Sequence, residues 1–153
     1  MRRACTDVEW FEDYRVGDEF ICEPVVLTEK EIIDFASAYD PQSMHIDPIA
    51  AKSSPFQGII ASGTHLFAAV WGGMMRPGFL NGRGVGGTEM NLQFFKPVHP
   101  GDTLTILSRV TETAAFRSRP DRGLVSFESS VTNQKGDLVM TLRFKHMVLT
   151  HPK

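Results

Sequence analysis

An aspartate and a histidine five positions apart, Asp40 and His45, are the side chains in this sequence best suited to acid–base chemistry. A carboxylate and an imidazole can hold one water molecule between them and exchange protons with it near neutral pH. Spacing alone is weak support, because Asp40 also fits a turn and His45 also fits an ordinary surface side chain. The sequence around the pair strengthens the prediction.

The pair lies in a long segment without regular periodicity, residues 39–60, which contains three prolines. A loop of this length inside a compact domain usually has a function, and Pro41 restricts the turn. The segment leads into Ser62-Gly63-Thr64, the predicted N-terminus of a buried helix, with Ser62 or Thr64 as its cap. Free N–H groups and the helix dipole stabilise a developing anion at such a place. The sequence therefore predicts a site for water and an oxyanion.

Two helices are predicted to position these groups. Thr28 and Glu31 form a capping box, and apolar residues follow at helical spacing, which predicts a helix over residues 29–38. A second run, residues 65–75, is apolar almost all round and is stopped by Pro77. Such a run is typical of a buried central helix.

The other periodic segments are strand-like, and residues 88–95 alternate with Met90, Leu92 and Phe94 on one face. The predicted strands are residues 19–26, 88–95, 103–116, 124–133 and 138–149. One early strand, a buried helix and an antiparallel meander predict an α+β fold with a sheet around a helix. The length of 153 residues favours a single domain over residues 1–153.

Three further patterns have ordinary explanations. Residues 82–87 satisfy G-x-G-x-x-G, but a helix precedes them and a strand follows, the reverse of a dinucleotide site, so we interpret them as a turn. The five histidines and two cysteines lack metal-ligand spacing, so no metal site is predicted. Ser62-Gly63 is no nucleophile elbow, because no strand leads directly into it.

Composition and charge limit the partners and the cellular compartment that we expect for this protein. The formal net charge is −2, which gives no general attraction to nucleic acid or to an anionic membrane. The single basic cluster, Arg117, Arg119 and Arg122, is typical of a solvated turn. We expect a cytoplasmic protein, because no signal peptide and no apolar run of roughly 20 residues is found. Cys5 and Cys22 are too few for a disulfide framework and fit a reducing compartment.

Residues 40–48 and 56–65, which contain these candidates, resemble the hydratase motif of the MaoC-like dehydratases, the (R)-specific enoyl-CoA hydratases. Residues 11–18 resemble the family's entry segment, and residues 91–102 resemble its central strand and turn. The resemblance runs from about Trp10 to Leu149. It implies a hot-dog fold, in which an antiparallel sheet wraps one long helix, and a homodimer or higher homo-oligomer.

The resemblance also implies an activity. Asp40 and His45 match the catalytic pair of the family, and Gly63 matches the residue whose N–H holds the thioester carbonyl. The expected reaction is reversible syn addition of water to a trans-2-enoyl thioester, which gives an (R)-3-hydroxyacyl thioester. The substrate is an acyl-CoA or acyl-carrier-protein thioester, as in fatty acid metabolism. No separate cofactor is expected, since coenzyme A is part of the substrate.

Three further residues are expected to support the substrate. Gln42 stands where many members of the family have asparagine, and keeps the amide on a longer side chain. Ser62 is next to the predicted oxyanion donor. The bulky Trp71 of the central helix suggests a short or otherwise restricted acyl group.

Two other functions fit the same residues. A hot-dog thioesterase would use the same fold and carbonyl-binding N–H, and would release thiol from acyl-CoA. A non-catalytic acyl-CoA-binding module would keep the fold without turnover, and the replacement at Gln42 leaves that alternative open.

Overall fold

A computed structural model describes residues 1–80 and 82–153 of the chain, with the α-helices in the first half and the four long strands in the second. The four α-helices of these residues are α1 (Glu29–Tyr39), α2 (Ser43–Ile46), α3 (Pro48–Lys52) and α4 (Gly63–Met75). The seven strands are β1 (Arg2–Arg3), β2 (Glu19–Ile21), β3 (Val25–Val26), β4 (Gly84–Phe94), β5 (Thr103–Ala115), β6 (Arg122–Thr132) and β7 (Leu138–Leu149). None of the helices in the two described ranges is long and apolar enough to cross a membrane.

The strands form one sheet in the order β1-β2-β5-β6-β7-β4, with β3 also paired to β5. All pairs are antiparallel except β1 with β2, a short parallel pair that the sequence did not predict. The predicted strand over residues 19–26 is divided into β2 and β3. The Glu23 N–H donates to the Gly73 carbonyl of α4, and Pro24 has no N–H, so the ladder is interrupted there.

Helix α4 packs against the sheet and is largely buried, as the apolar run predicted. Val70 and Met74 are fully buried. Gly73 allows the close approach, because a Cβ at this position would lie 2.7 Å from the Glu23 carbonyl oxygen. Side chains of α4 meet β7 through Trp71 on Phe144, β6 through Met74 on Ser129, and β4 through Gly63 under Phe94. The predicted α+β fold is confirmed.

Helix α1 begins and ends as its sequence requires. Thr28 Oγ1 accepts from the Glu31 N–H at 3.2 Å, and a Glu31 carboxylate oxygen accepts from the Thr28 N–H at 2.7 Å, which is the predicted capping box. At the other end Pro41 disfavours a helical conformation for the residue before it. Asp40 accordingly has φ −154° and ψ 68°, and the helix ends at Tyr39, one residue beyond the prediction.

The segment 39–60 is less irregular than predicted, because it contains α2 and α3. Asp47 caps α3, with its carboxylate accepting from the Ile49 and Ala50 N–H groups at 2.9 and 3.1 Å. Pro48 occupies the first turn, where its missing N–H costs nothing. One of the three prolines that suggested a loop, Pro48, starts a helix instead.

Strand β4 begins at Gly84, four residues before the predicted start, and includes most of the glycine-rich segment. Its register with β7 shifts twice near these glycines. A helix precedes and a strand follows, as predicted, but Gly84–Gly87 belong to the strand and not to a turn. Leu92 packs on the core, whereas Met90 and Phe94 on the same face are 44% and 51% exposed.

Candidate active site

Asp40 is fixed at the end of α1 by two hydrogen bonds to its carboxylate. Ser62 Oγ donates to Oδ2 at 2.6 Å, and Gln42 Nε2 donates to Oδ1 at 2.8 Å. These two hydrogen bonds lower the pKa of Asp40 below its ordinary value, and the bond from Ser62 has the larger effect. Asp40 is therefore a carboxylate at neutral pH, and its side chain keeps 24% exposure to solvent.

His45 lies in α2 with its ring buried, at 4% exposure. Its Nδ1 is 2.7 Å from the Ile60 carbonyl oxygen. Because a carbonyl oxygen only accepts hydrogen bonds, Nδ1 carries the proton and donates it. In the neutral ring Nε2 then has a free lone pair, and it points toward Asp40.

The two side chains face each other without a direct hydrogen bond. His45 Nε2 lies 3.6 Å from Asp40 Oδ2, beyond the distance of a normal hydrogen bond. When the His45 ring is neutral, both atoms are hydrogen-bond acceptors. One water molecule can therefore donate one hydrogen bond to each of them. The catalytic role of the pair stays a prediction.

Ser62 and Gly63 bring the N-terminus of α4 to the pair. Ser62 occupies the cap position, as predicted, but its side chain caps no N–H. Its hydroxyl is fully buried, donates to Asp40 and lies 2.9 Å from Thr64 Oγ1. Gly63 is the first residue of the helix, so its N–H has no acceptor within the helix and can bind an anion.

A cavity of about 330 Å³ opens at this helix end and is mostly apolar. His45 and Gly63 both line it. The other lining residues are Phe56, Ile60, Ala61, Leu66, Phe94, Phe95, Lys96, Pro97 and Val98. The site thus combines an acid–base group and a helix N–H with an apolar wall.

Trp71 lies away from this cavity. It is on the same face of α4 as Gly63 but eight residues further, roughly 12 Å along the axis. Its ring packs edge-on against Phe144 at 5.1 Å and is 6.2 Å from the ring of His146. The substrate-binding role predicted for Trp71 stays a prediction.

The sequence did not indicate that Phe94 covers the helix N-terminus. A Cβ added at Gly63 would lie 2.9 Å from Phe94 Cζ, so the ring rests directly on the glycine. The Ile60 carbonyl as partner of His45 was missed as well. The adjacent Phe94 and Phe95 at the end of a predicted strand were a signal for this wall, since exposed aromatic residues often mark a binding surface.

A larger cleft, about 440 Å³, opens at the other end of β4. Arg83 lies 3.9 Å from the centre of the Trp10 ring there, and His151 closes one side. No residue of the Asp40–His45 site lines it. In residues 1–80 and 82–153 no three His, Cys, Asp or Glu side chains are placed together to hold a metal ion. The smaller cavity is the one that His45 and Gly63 line.

Replacing Ser62 by alanine is expected to raise the pKa of Asp40 toward its ordinary value. The Ser62 hydroxyl stabilises the ionised carboxylate, so wild-type Asp40 should stay ionised to a lower pH than Asp40 in the variant. Carbon-13 NMR titration of the aspartate carboxyl groups measures the shift. Thr64→Ala is the matched control, because Thr64 contacts Ser62 but not Asp40. An unchanged Asp40 titration in Ser62→Ala would contradict the assigned cause.

The chain is similar to known proteins over most of its length. The family model described as MaoC like domain matches residues 14–133. The uncharacterised protein YdeM of Bacillus subtilis (strain 168) is 33% identical over 125 residues, 81% of this chain and 87% of the relative. The crystal structure of the MaoC-like dehydratase from Rhodospirillum rubrum superposes with a TM-score of 0.89 at 33% identity, covering 95% of this chain and all of that chain.

A more distant structure shows the same fold. The (R)-hydratase from A. caviae involved in PHA biosynthesis has a TM-score of 0.71 at 23% identity, covering 91% of this chain and 98% of that chain. At this identity the likeness concerns the fold alone. Because the family model covers more than half of the chain, the chain is a member of the MaoC-like family, with a hot-dog fold built around α4.

Proposed function

We propose that this protein catalyses the reversible syn addition of water to a trans-2-enoyl thioester, giving an (R)-3-hydroxyacyl thioester. The observation that carries the proposal is that His45 and the helix N-terminal Gly63 line one apolar cavity, while Asp40 Oδ2 lies 3.6 Å from His45 Nε2. Hydration needs a base for water, an acid for the α-carbon and a stabiliser for the enolate oxygen. These groups supply all three.

In the proposed mechanism one water molecule donates its hydrogens to Asp40 Oδ2 and His45 Nε2. An imidazole is intrinsically more basic than a carboxylate, with reference pKa values of about 6.5 and 3.9. The two hydrogen bonds to Asp40 reduce its basicity further. His45 Nε2 therefore takes the proton as the water oxygen attacks C3 of the enoyl group. The Asp40 carboxylate orients the water and stabilises the imidazolium.

The negative charge formed in the attack moves to the thioester oxygen. The Gly63 N–H donates to that oxygen, and one such donor can be worth roughly 10²–10³ in rate. The imidazolium then returns the proton to C2. Hydroxyl and proton arrive from the same side because one dyad handles both, so the addition is syn. Dehydration is the same path reversed.

The cavity fits a small acyl group attached to a thioester. Its walls are apolar at Phe56, Leu66 and Phe94, which suits an acyl chain, and Lys96 lies at the lining as a cation. Lys96 also pairs with Asp137 at 3.1 Å. We infer an acyl-CoA or acyl-carrier-protein thioester as substrate, with no cofactor beyond the coenzyme A that the substrate contains.

The experiment that tests the proposal is a spectrophotometric assay of the purified chain with enoyl-CoA thioesters of graded length and branching. Hydration removes the absorbance of the conjugated enoyl thioester without releasing thiol, and the product should be the (R) isomer. Release of thiol with the enoyl group intact would indicate a thioesterase instead. Tight binding of all thioesters without turnover would indicate a binding module.

Replacing Gly63 by alanine is expected to lower kcat/KM for crotonyl-CoA by about 10- to 100-fold, because the new methyl group displaces Phe94 and narrows the approach to the N–H. Steady-state kinetics measures the loss. Phe94→Leu removes the ring that the methyl group meets, so the double variant should recover part of the activity. If Gly63→Ala is as active as the wild type, Gly63 is not a close neighbour of the substrate.

We also propose a homodimer formed along β4. In the described part of the chain β4 is paired only to β7, so its outer edge has free N–H and C=O groups. Several apolar side chains on this strand are exposed to solvent, among them Val85, Met90 and Phe94. A second copy joined at this edge would cover them.

Light scattering coupled to size-exclusion chromatography should therefore give twice the mass of one chain. Met90→Lys places a charge in the proposed interface and should shift the protein toward a single chain. Ile49→Lys, at a position 84% exposed on α3, is the control and should leave the mass unchanged. A wild-type protein that elutes as one chain would refute the dimer.

A further inference from the structure

His99 lies in the turn between β4 and β5, outside the set of residues that line the cavity beside Gly63. Its backbone N–H donates to Asp102 Oδ2 at 2.9 Å, and Asp102 Oδ1 accepts from Gln134 Nε2 at 2.9 Å. These contacts fix the backbone of His99 and do not involve its ring. The half-buried ring is therefore free to hold another segment of the chain.

The segment that the His99 ring holds begins at Phe56. His99 Nε2 lies 3.2 Å from the Phe56 carbonyl oxygen, 43 positions away in the sequence. Because a carbonyl oxygen only accepts hydrogen bonds, Nε2 carries a proton and donates it. The bond thus fixes the orientation of the peptide group between Phe56 and Gln57.

That peptide group precedes a residue in a rarely occupied backbone conformation. Gln57 has φ +59°, in the left-handed region that a residue with a Cβ disfavours. Rotation of the peptide group before Gln57 changes this φ and can relax it toward negative values. His99 holds the carbonyl end of the group, and the Ser54 carbonyl accepts from its N–H at 3.1 Å. The bond from His99 therefore helps to maintain the turn at Gln57.

This turn leads to the residue that selects the tautomer of His45. The Ile60 carbonyl accepts from His45 Nδ1 at 2.7 Å, and the Ile60 N–H donates to the Met44 carbonyl at 3.2 Å. The next residue, Ala61, donates its N–H to the Val98 carbonyl at 2.8 Å. The two ends of the segment are thus tied to adjacent residues of one turn, and Ile60 lies between them.

We propose that His99 is a positioning residue of the hydration reaction. Through the Phe56 carbonyl it keeps the Ile60 carbonyl against His45 Nδ1, so that Nε2 stays unprotonated and can take a proton from water. When the Ile60 carbonyl moves away, the ring proton is shared between the two nitrogens, and fewer molecules have a base facing Asp40. The kinetic consequence rests on the proposed function, whereas the tautomer of His45 does not.

Nitrogen-15 NMR of the histidine rings tests the geometry without an activity assay, because protonated and unprotonated ring nitrogens differ widely in chemical shift. In the full wild-type chain, at a pH where both rings are neutral, His45 should carry its proton on Nδ1 and His99 on Nε2. In His99→Phe, which keeps a ring but has no donor, the His45 proton should be divided between both nitrogens. A wild-type His99 protonated on Nδ1, or an unchanged His45 tautomer in a folded His99→Phe variant, would overturn the proposal.

Further variants distinguish the hydrogen bond from a general loosening of the turn. The amide nitrogen introduced by His99→Gln can take the place of the ring Nε2, so this variant should keep the wild-type His45 tautomer. Glycine adopts a positive φ without strain, so Gln57→Gly added to His99→Phe should restore most of that tautomer. Gln134→Ala removes a partner of Asp102 and leaves the bond of the His99 ring, so it is the matched control. A shared proton on His45 in Gln134→Ala, or no recovery with Gln57→Gly, would refute the role of this bond.

Steady-state kinetics with crotonyl-CoA measures the consequence for the reaction. His99→Phe should lower kcat by about 10-fold with a smaller change in KM, because fewer molecules have a correctly placed base. In the His45→Asn background the same substitution should cost nothing further in kcat/KM, because the base is already absent. An equal loss in both backgrounds would show that His99 acts through another group. A wild-type chain without hydratase activity would refute the proposed function and leave the NMR test of His99 intact.

Discussion

Replacing Asp40 by asparagine is expected to lower kcat/KM for hydration of crotonyl-CoA by roughly 10²–10⁴-fold with the fold intact. Asparagine has nearly the same shape, but it is neutral and presents an NH₂ group in place of one carboxylate oxygen. If that group faces Ser62 and His45, it donates where Oδ2 accepts. The variant then neither orients the water nor stabilises the imidazolium.

The measurement is steady-state kinetics together with circular dichroism and the Tm. Asp34→Asn is the matched control, since Asp34 is an exposed aspartate of α1 that pairs with Lys30. The control should keep wild-type activity. Near-wild-type activity in Asp40→Asn would remove the basis of the proposed site.

Replacing His45 by asparagine is expected to lower kcat/KM for hydration of crotonyl-CoA by a similar factor, roughly 10²–10⁴. The asparagine NH₂ can take the place of Nδ1 and donate to the Ile60 carbonyl, so that bond is kept while Nε2 is removed. The loss therefore reports the missing base and not a broken hydrogen bond. His151→Asn, in the exposed C-terminal segment, is the control.

The double variant Asp40→Asn, His45→Asn sharpens this test. If both side chains act on one water molecule, the second substitution should cost little once the first is made, because residues that act as a unit are not additive. Losses that multiply would mean that the two residues act in separate steps, and the shared-water mechanism would be wrong.

The helices that position the site could be predicted because their signals are local. The capping box at Thr28 and Glu31 and the proline after Asp40 act within one turn of α1. The apolar run of α4 has to be buried wherever it lies in the fold. Both predictions are confirmed to within two residues at each end. Strand β7 has the predicted bounds, because turn residues precede an alternating apolar pattern.

Other elements could not be predicted because their stability comes from contacts distant in sequence. Strand β1 is two residues long and exists through its pairing with β2 and the bonds of Arg3. Strand β4 begins within glycines that have low strand propensity, because β7 supplies its partner groups. Helix α2 is one turn that holds His45, with no strong signal of its own.

The sequence by itself predicted which chemical groups the candidate site contains, and determined the helix N-terminus near them. Asp40, His45 and Gly63 were proposed in this way, and the family resemblance supplied the thioester. The tertiary structure decided the ionisation of Asp40, the tautomer of His45 and the packing around Gly63. Ser62 lowers the pKa of Asp40 from 22 positions away, and the Ile60 carbonyl selects the tautomer of His45 from 15 positions away. Phe94 reaches Gly63 from another strand. Hydrogen bonds and packing act over a few ångströms, so only the folded chain could specify them.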